Sequence, residues 1–251
     1  MISQHDGTTT PHEGRPQRQQ RAERILDAAA ELLQRWGYKK TTVDDIAKQA
    51  RVAKGTIYLH WKTREELFEA LLRREWLILA EDFLQRLDDD PEGSVLHNLM
   101  KHVISTIISR PLVLAILLRD TALLGDILRT TSELELVHLR GQIATTSLQL
   151  LRHKGMLRTD RDLTTQLKML SAITLGFLII DHYLPHELTF SLQEKVEAFA
   201  ETIQSTFEPT EPPSSAAIQE AKLRMQQSFR QALATLQTTV TTDQERGMKP
   251  A

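Results

Sequence analysis

The sequence predicts an all-α protein: a three-helix N-terminal unit, a larger helical body, and one extra helix after the body. Three observations predict it. Apolar residues recur at i, i+3, i+4 and i+7 through most of the 251 residues. Ser, Thr or Asp precede several of the periodic segments, at Thr42, Thr63 and Ser132 with an acidic residue three positions on. Pro and Gly punctuate the gaps. No internal repeat and no strand-rich region occurs. Val103 to Ser109 and Ile173 to Ile180 are β-branched, but their long capped flanks read as helix.

Residues 1–16 are rich in Thr, Gly, Pro and His and read as a mobile arm. Ile25, Ala28, Ala29, Leu32, Leu33 and Trp36 form the first apolar stripe, and Gly37 stops that helix. Thr42 with Asp45 caps a short second helix striped by Val43, Ile46, Ala47 and Ala50. A turn at Arg51 and Val52 leads to a third, about Lys54 to His60. Thr63 with Glu66 opens a long helix to about Leu87, which the acidic break Asp88 to Gly93 ends.

Ser94 is the expected cap of the next helix, which closes near Arg110 and Pro111. Leu112 to about Arg129 reads as one apolar helix, and Ser132 with Glu135 caps another that runs to Lys154. Asp162 to Tyr183 and Ser191 to Phe207 follow. Leu167 to Leu184 is the greasiest stretch, but it carries Lys168, Ser171, Thr174 and Asp181 and reads as a buried helix rather than a membrane span. Pro209 to Ser215 is a stiff linker. Beyond it Ile218, Met225, Phe229, Leu233 and Leu236 stripe a last amphipathic helix, with a polar tail from Thr238. The expected domains are therefore 1–16, 17–62, 63–207 and 208–251.

Composition narrows the chemistry. With no cysteine, a disulfide scaffold, a Cys-ligated metal and a thiol nucleophile are excluded. The first twenty residues lack an apolar signal core, so a cytoplasmic protein is expected. The net charge of −2 hides an asymmetry: the segment from Arg15 to Arg64 carries seven net positive charges and the remainder nine net negative ones. A basic end on an acidic body points to a polyanion such as nucleic acid, with chance clustering as the bland alternative.

Three short helices with a tight turn between the second and third, on that basic segment, describe a helix-turn-helix, whose third helix enters the DNA major groove. The residues are Thr42-Val43-Asp44-Asp45-Ile46-Ala47-Lys48-Gln49-Ala50-Arg51-Val52-Ala53-Lys54-Gly55-Thr56-Ile57-Tyr58-Leu59-His60-Trp61-Lys62. From about Arg21 to Leu72 the chain resembles the tetracycline-repressor (TetR) family of transcriptional regulators in order, spacing and residue type, above all in the Gly-Thr-Ile-Tyr run followed by an aromatic, a Lys and a capped helix.

Ile46, Ala47, Val52, Ile57 and Trp61 sit at core positions. Thr42 caps a helix, and the resemblance also places that helix N-terminus against a phosphate. Lys54, Gly55 and Thr56 open the helix that faces base edges: Lys can donate to guanine, Thr can touch a thymine methyl, and Gly leaves room for close approach. Tyr58, His60 and Lys62 read as clamps on phosphate oxygens. Arg15 and Arg18, on the arm, would either enter the minor groove or raise the local concentration of DNA. Ala53 departs from the family, where Ser often caps the recognition helix.

For the body the resemblance implies two roles. The helices near Leu163 to Tyr183 and Ser191 to Phe207 would pair with a second copy, through Leu167, Leu170, Phe177 and Ile180. The others would enclose an apolar pocket, with Phe83, Met100, Ile104, His138, Thr174 and Phe177 as candidate lining residues; each is also explained as plain core. His182 and His186 are four apart, but Pro185 interrupts the helix that would align them, so no metal site is expected, nor any cofactor. No catalytic Ser/His/Asp spacing, Gly-rich phosphate loop or Glu-x-x-His motif occurs, so an enzyme is not expected. The sequence thus predicts a homodimeric repressor of a palindromic double-stranded DNA operator, released by a small apolar effector and independent of membranes. A constitutive DNA binder and a helical scaffold with a protein partner are the alternatives.

Overall fold

The computed structural model describes residues 14–125, 127 and 131–246, and no strand occurs among them. The first helix, α1 (Gly14–Trp36), starts three residues before the expected boundary. A first turn can hold Pro16, because backbone N–H groups there have no acceptor within the helix. Residues 1–13 of the expected arm lie outside the described residues, and so does the side chain of Arg15. Gly37 ends α1 at φ 75°, with its N–H on the Leu33 carbonyl at 2.8 Å. Trp36, read as part of the stripe, is 43% exposed at the helix end.

A 3-10 turn (Tyr38–Lys40) leads to α2 (Val43–Ala50) and α3 (Lys54–Tyr58). Arg51 ends α2 in the left-handed region at φ 55°, and Val52 donates to the Ala47 carbonyl at 3.0 Å, which makes the tight turn. Ile25, Ala29, Leu33, Ile46, Ile57 and Trp61 are buried in one small core, with Val52 partly buried against it. The long α4 (Arg64–Asp89) joins this core to a second one: Leu67, Phe68, Leu71 and Trp76 belong to the first, Phe83 and Leu87 to the second. Arg64 fastens its start, donating to the carbonyls of Thr41 (3.0 Å) and Tyr38 and lying 3.8 Å over the Tyr38 ring.

The apolar run from Leu112 forms two helices rather than the single one expected, α6 (Pro111–Leu117) and α7 (Thr121–Leu124). Arg119 adopts φ 52° and Asp120 takes the N–H groups of Ala122 and Leu123, each at 3.0 Å, restarting the chain in a new direction. No Gly or Pro marks this break, so composition does not reveal it. It places Leu112, Val113, Ile116 and Leu124 in the first core, so the body braces the N-terminal unit.

The second core is built from α4, α5 (Leu96–Ile108), α8 (Thr131–His153), α9 (Leu163–Ile179) and α10 (Leu192–Phe207). Asp162 caps α9, and Ser191 with Glu194 forms a capping box on α10. The cap expected from Ser132 and Glu135 involves side chains outside the described residues. Ser94 does not cap α5. It is buried, and its hydroxyl donates to the Ile218 carbonyl at 2.8 Å, a partner 124 residues away. The segment from Leu163 to His182 is long and apolar enough to cross a membrane, but within this chain only 17% of its apolar window is buried. The expected buried helix is thus largely uncovered in a single copy.

The last helix, α11 (Ser215–Arg246), continues past the expected fraying point. It packs along α4 and α8 of its own chain. Ala221 and Met225 are buried, and Phe229 meets Phe83 at 4.7 Å between ring centroids. Lys222 Nζ donates to the carbonyls of Asp88 (2.9 Å) and Asp90 (2.8 Å) at the end of α4. Gln226 and Arg230 reach the Asp88 carboxylate at 2.6 and 2.8 Å, and Lys154 pairs with Glu220 at 2.5 Å. The side chain of Leu236 lies outside the described residues.

Candidate nucleic-acid interface

Two helix starts, those of α2 and α3, carry the expected contact residues. The Thr42 side chain accepts from the Asp45 N–H at 3.2 Å, and its hydroxyl lies 2.5 Å from Asp45 Oδ2. Asp45 also accepts from the Thr42 N–H at 3.3 Å. Hydrogen bonding from the Thr42 side chain holds the Asp45 carboxyl below the usual carboxylate range. The Thr42 hydroxyl is therefore engaged by the cap, and a carboxylate already faces the positive helix end where a phosphate was expected.

Ala53 precedes α3 and supplies no side-chain cap. Ile57 (1% exposed) and Trp61 (8% exposed) anchor the short helix instead. The residues on its other faces point outward. Lys54 is exposed, and its ammonium lies 2.8 Å from Asp44 Oδ2 across the turn, which pushes its pKa up. A Cβ built on Gly55 meets nothing within 4 Å, so the helix surface is bare there. Thr56 is half-buried, and Tyr58 is 45% exposed. The Lys62 side chain is exposed, while its backbone N–H is held by Glu66 Oε2 at 2.7 Å.

Arg18 is not on a loose arm. It lies on α1 and its guanidinium donates to the Leu59 carbonyl at 3.3 Å, tying the first helix to the end of α3. His60 sits close by, its pKa lowered by burial and then by the charges of Arg18 and Arg21. Two residues of this face escaped the sequence reading. Leu59 is 73% exposed; its spacing of four from Gly55 was the available signal. Asp44 was missed because its link to Lys54 crosses the turn.

The body candidates fall at several places in the body. Phe83, Met100 and Ile104 are packed in the second core at 5%, 8% and 0% exposure. Phe177 meets Phe199 edge to face at 5.2 Å between ring centroids, and Thr174 donates to the Leu170 carbonyl at 2.7 Å. His138 borders a shallow surface depression of about 430 Å³ with Val137, Gly141, Gln142, Thr145 and Thr146, all on α8. Sequence periodicity marks a residue as inward-facing; it does not distinguish a cavity wall from a filled core. Among the described residues no group of three or more His, Asp or Glu side chains is placed to hold a metal ion.

Residues 25–71 match the profile of bacterial regulatory proteins of the tetR family. An uncharacterized helix-turn-helix-type transcriptional regulator of Bacillus subtilis, YhgD, is 41% identical over 71 residues, covering 28% of this chain and 35% of its own length. A second regulator of the same organism, YvkB, is 27% identical over 173 residues, 69% of this chain and 89% of its own. The fold resembles SmeT, the repressor of a Stenotrophomonas maltophilia multidrug efflux pump. In its triclosan complex SmeT aligns at a TM-score of 0.55 and 22% identity, over 78% of this chain and 96% of its own.

Proposed function

We infer that this chain, a member of the tetR family of bacterial regulatory proteins through its N-terminal domain, is a cytoplasmic transcriptional regulator that represses genes by binding a palindromic operator as a homodimer. One observation carries the reading: the outward faces of α3 and the residues after it, from Lys54 to Lys62, project from a core-anchored helix beside a basic α1. Such a helix supplies base contacts, while Tyr58, His60, Lys62 and Arg18 supply phosphate contacts.

Two-fold assembly follows from the body. Leu175 on α9 and Tyr183, Leu188, Phe190 and Leu192 after it are large, apolar and exposed in one copy. Pairing through this face would bury them and set two recognition helices one DNA turn apart.

Release by a small apolar effector, as the triclosan complex of SmeT suggests by analogy, is the regulated form of the reading. Phe229 seated against Phe83 favours a second reading, a constitutive repressor, because the chain itself fills part of the expected pocket region. Selection of duplexes from a random pool by the full-length protein tests DNA binding. Titration of the selected complex with triclosan and similar apolar compounds then separates the two readings. Failure to enrich any duplex overturns both.

A further inference from the structure

We propose that Leu59 reads the 5-methyl group of one thymine in each operator half-site; this rests on the DNA-binding reading above. Leu59 is 73% exposed, beside Tyr58 at 45%, while Ile57 and Trp61 point into the core. A lone exposed leucine is ordinary; what singles this one out is its place at the exposed end of the helix-turn-helix, between Tyr58 and His60 and one turn from Gly55.

The surroundings name the occupant. Arg18 on the Leu59 carbonyl, Arg21 close enough to act on the neighbouring His60, and Lys62 three residues on make the surroundings basic, which fits a DNA surface better than an apolar protein partner. Leucine has neither donor nor acceptor. On the major-groove edges of the four bases the apolar group is the C5 methyl of thymine. A leucine that makes a productive contact there selects thymine.

The backbone holds Leu59 for this task. Its N–H donates to the Gly55 carbonyl at 3.2 Å, and its own carbonyl accepts from Arg18 at 3.3 Å. Four residues apart on helical backbone, Gly55 and Leu59 share one face. The absent side chain at Gly55 lets the helix approach the bases closely enough for Leu59 to reach the groove floor. Arg18 is here a positioning residue, whereas Leu59 touches the base.

The test uses the full-length protein and a duplex it selects from a random pool. Each thymine of the half-site is replaced in turn by deoxyuridine, which removes the methyl group alone. Wild-type affinity should fall roughly fourfold at one position, the value of one buried methyl-sized group. Leu59→Ala should bind more weakly and lose its response at that position while keeping its melting temperature, since the side chain is exposed. With a cytosine–guanine pair substituted at that position, 5-methylation of the cytosine should restore part of wild-type binding and none of Leu59→Ala binding. If no deoxyuridine position matters, or if Leu59→Ala still responds where wild type does, the inference is overturned although DNA binding stands. If no duplex is enriched, DNA binding fails and the inference with it.

Discussion

The ammonium of Lys54, the first residue of the recognition helix, lies 2.8 Å from the carboxylate of Asp44, the second residue of α2. The pair bridges the two helices across their turn, with both side chains about half exposed. A solvated pair of this kind adds little to stability. If this face meets DNA as proposed, the effect there is larger, because the pair places a negative charge among the proposed phosphate contacts and engages a lysine proposed to meet a base.

Asp44→Asn should therefore tighten operator binding several-fold at low salt and raise the salt slope by about one contact per subunit. Anisotropy titrations at three salt concentrations measure both. Equal affinity and equal slope for the variant and wild type would show that Lys54 is already free to exchange partners.

Lys62→Ala should weaken binding uniformly across sequences and lower the salt slope by about one per subunit, whereas Thr56→Ala should also relax base preference. The motive is the exposed placement of Lys62 beyond α3 against the position of Thr56 within it. Competition against single-base operator variants separates the two, and a Lys62 variant with the wild-type slope would remove its phosphate contact.

His60 makes operator binding depend on pH. Burial and the neighbouring Arg18 and Arg21 keep its pKa below the ordinary imidazole value of about 6.5. In the free protein its stabilising contribution is complete above that value and is lost as pH falls toward the lower folded-state pKa. A phosphate beside it favours the charged ring instead. Affinity should rise from pH 8 to pH 6 with uptake of protons, and His60→Gln should flatten that profile. Equal slopes against pH for the two proteins would reject the phosphate clamp.

Phe177 meets Phe199 of its own chain edge to face, so a charge there would disturb the protomer as well as any dimer. Leu175, 44% exposed on α9, is the cleaner probe. Leu175→Glu should give a folded monomer that binds the operator at least tenfold more weakly, because two heads no longer act together. A folded dimer in light scattering would move the interface off this face.

Met225 is 1% exposed on the buried face of α11, so Met225→Ala should cost about 2–5 kcal/mol of stability. Removing 209–251 should also expose Phe83 and lower the melting temperature, with operator preference unchanged, since α11 packs along α4 and α8. An unchanged melting temperature would mean that the helix contributes nothing to the body. A changed base preference would mean that it reaches DNA recognition.

The local elements were legible because their causes are local. Thr42 with Asp45, Thr63 with Glu66, the glycine stop at position 37 and the apolar spacing of α1 and α10 each act within a few residues, and each forms. So does the helix-turn-helix, whose residues are contiguous. What the tertiary structure alone decided depends on residues far apart in the chain. Ser94 became an anchor for α11 through Ile218, and Arg18 became a brace on Leu59. Lys54 faces Asp44, and Phe83 is covered by Phe229. A periodic stripe states that a side chain turns inward, because helical geometry fixes its direction. It carries no information about which distant side chain fills the space it meets, since that depends on how whole helices cross and on the volume left between them.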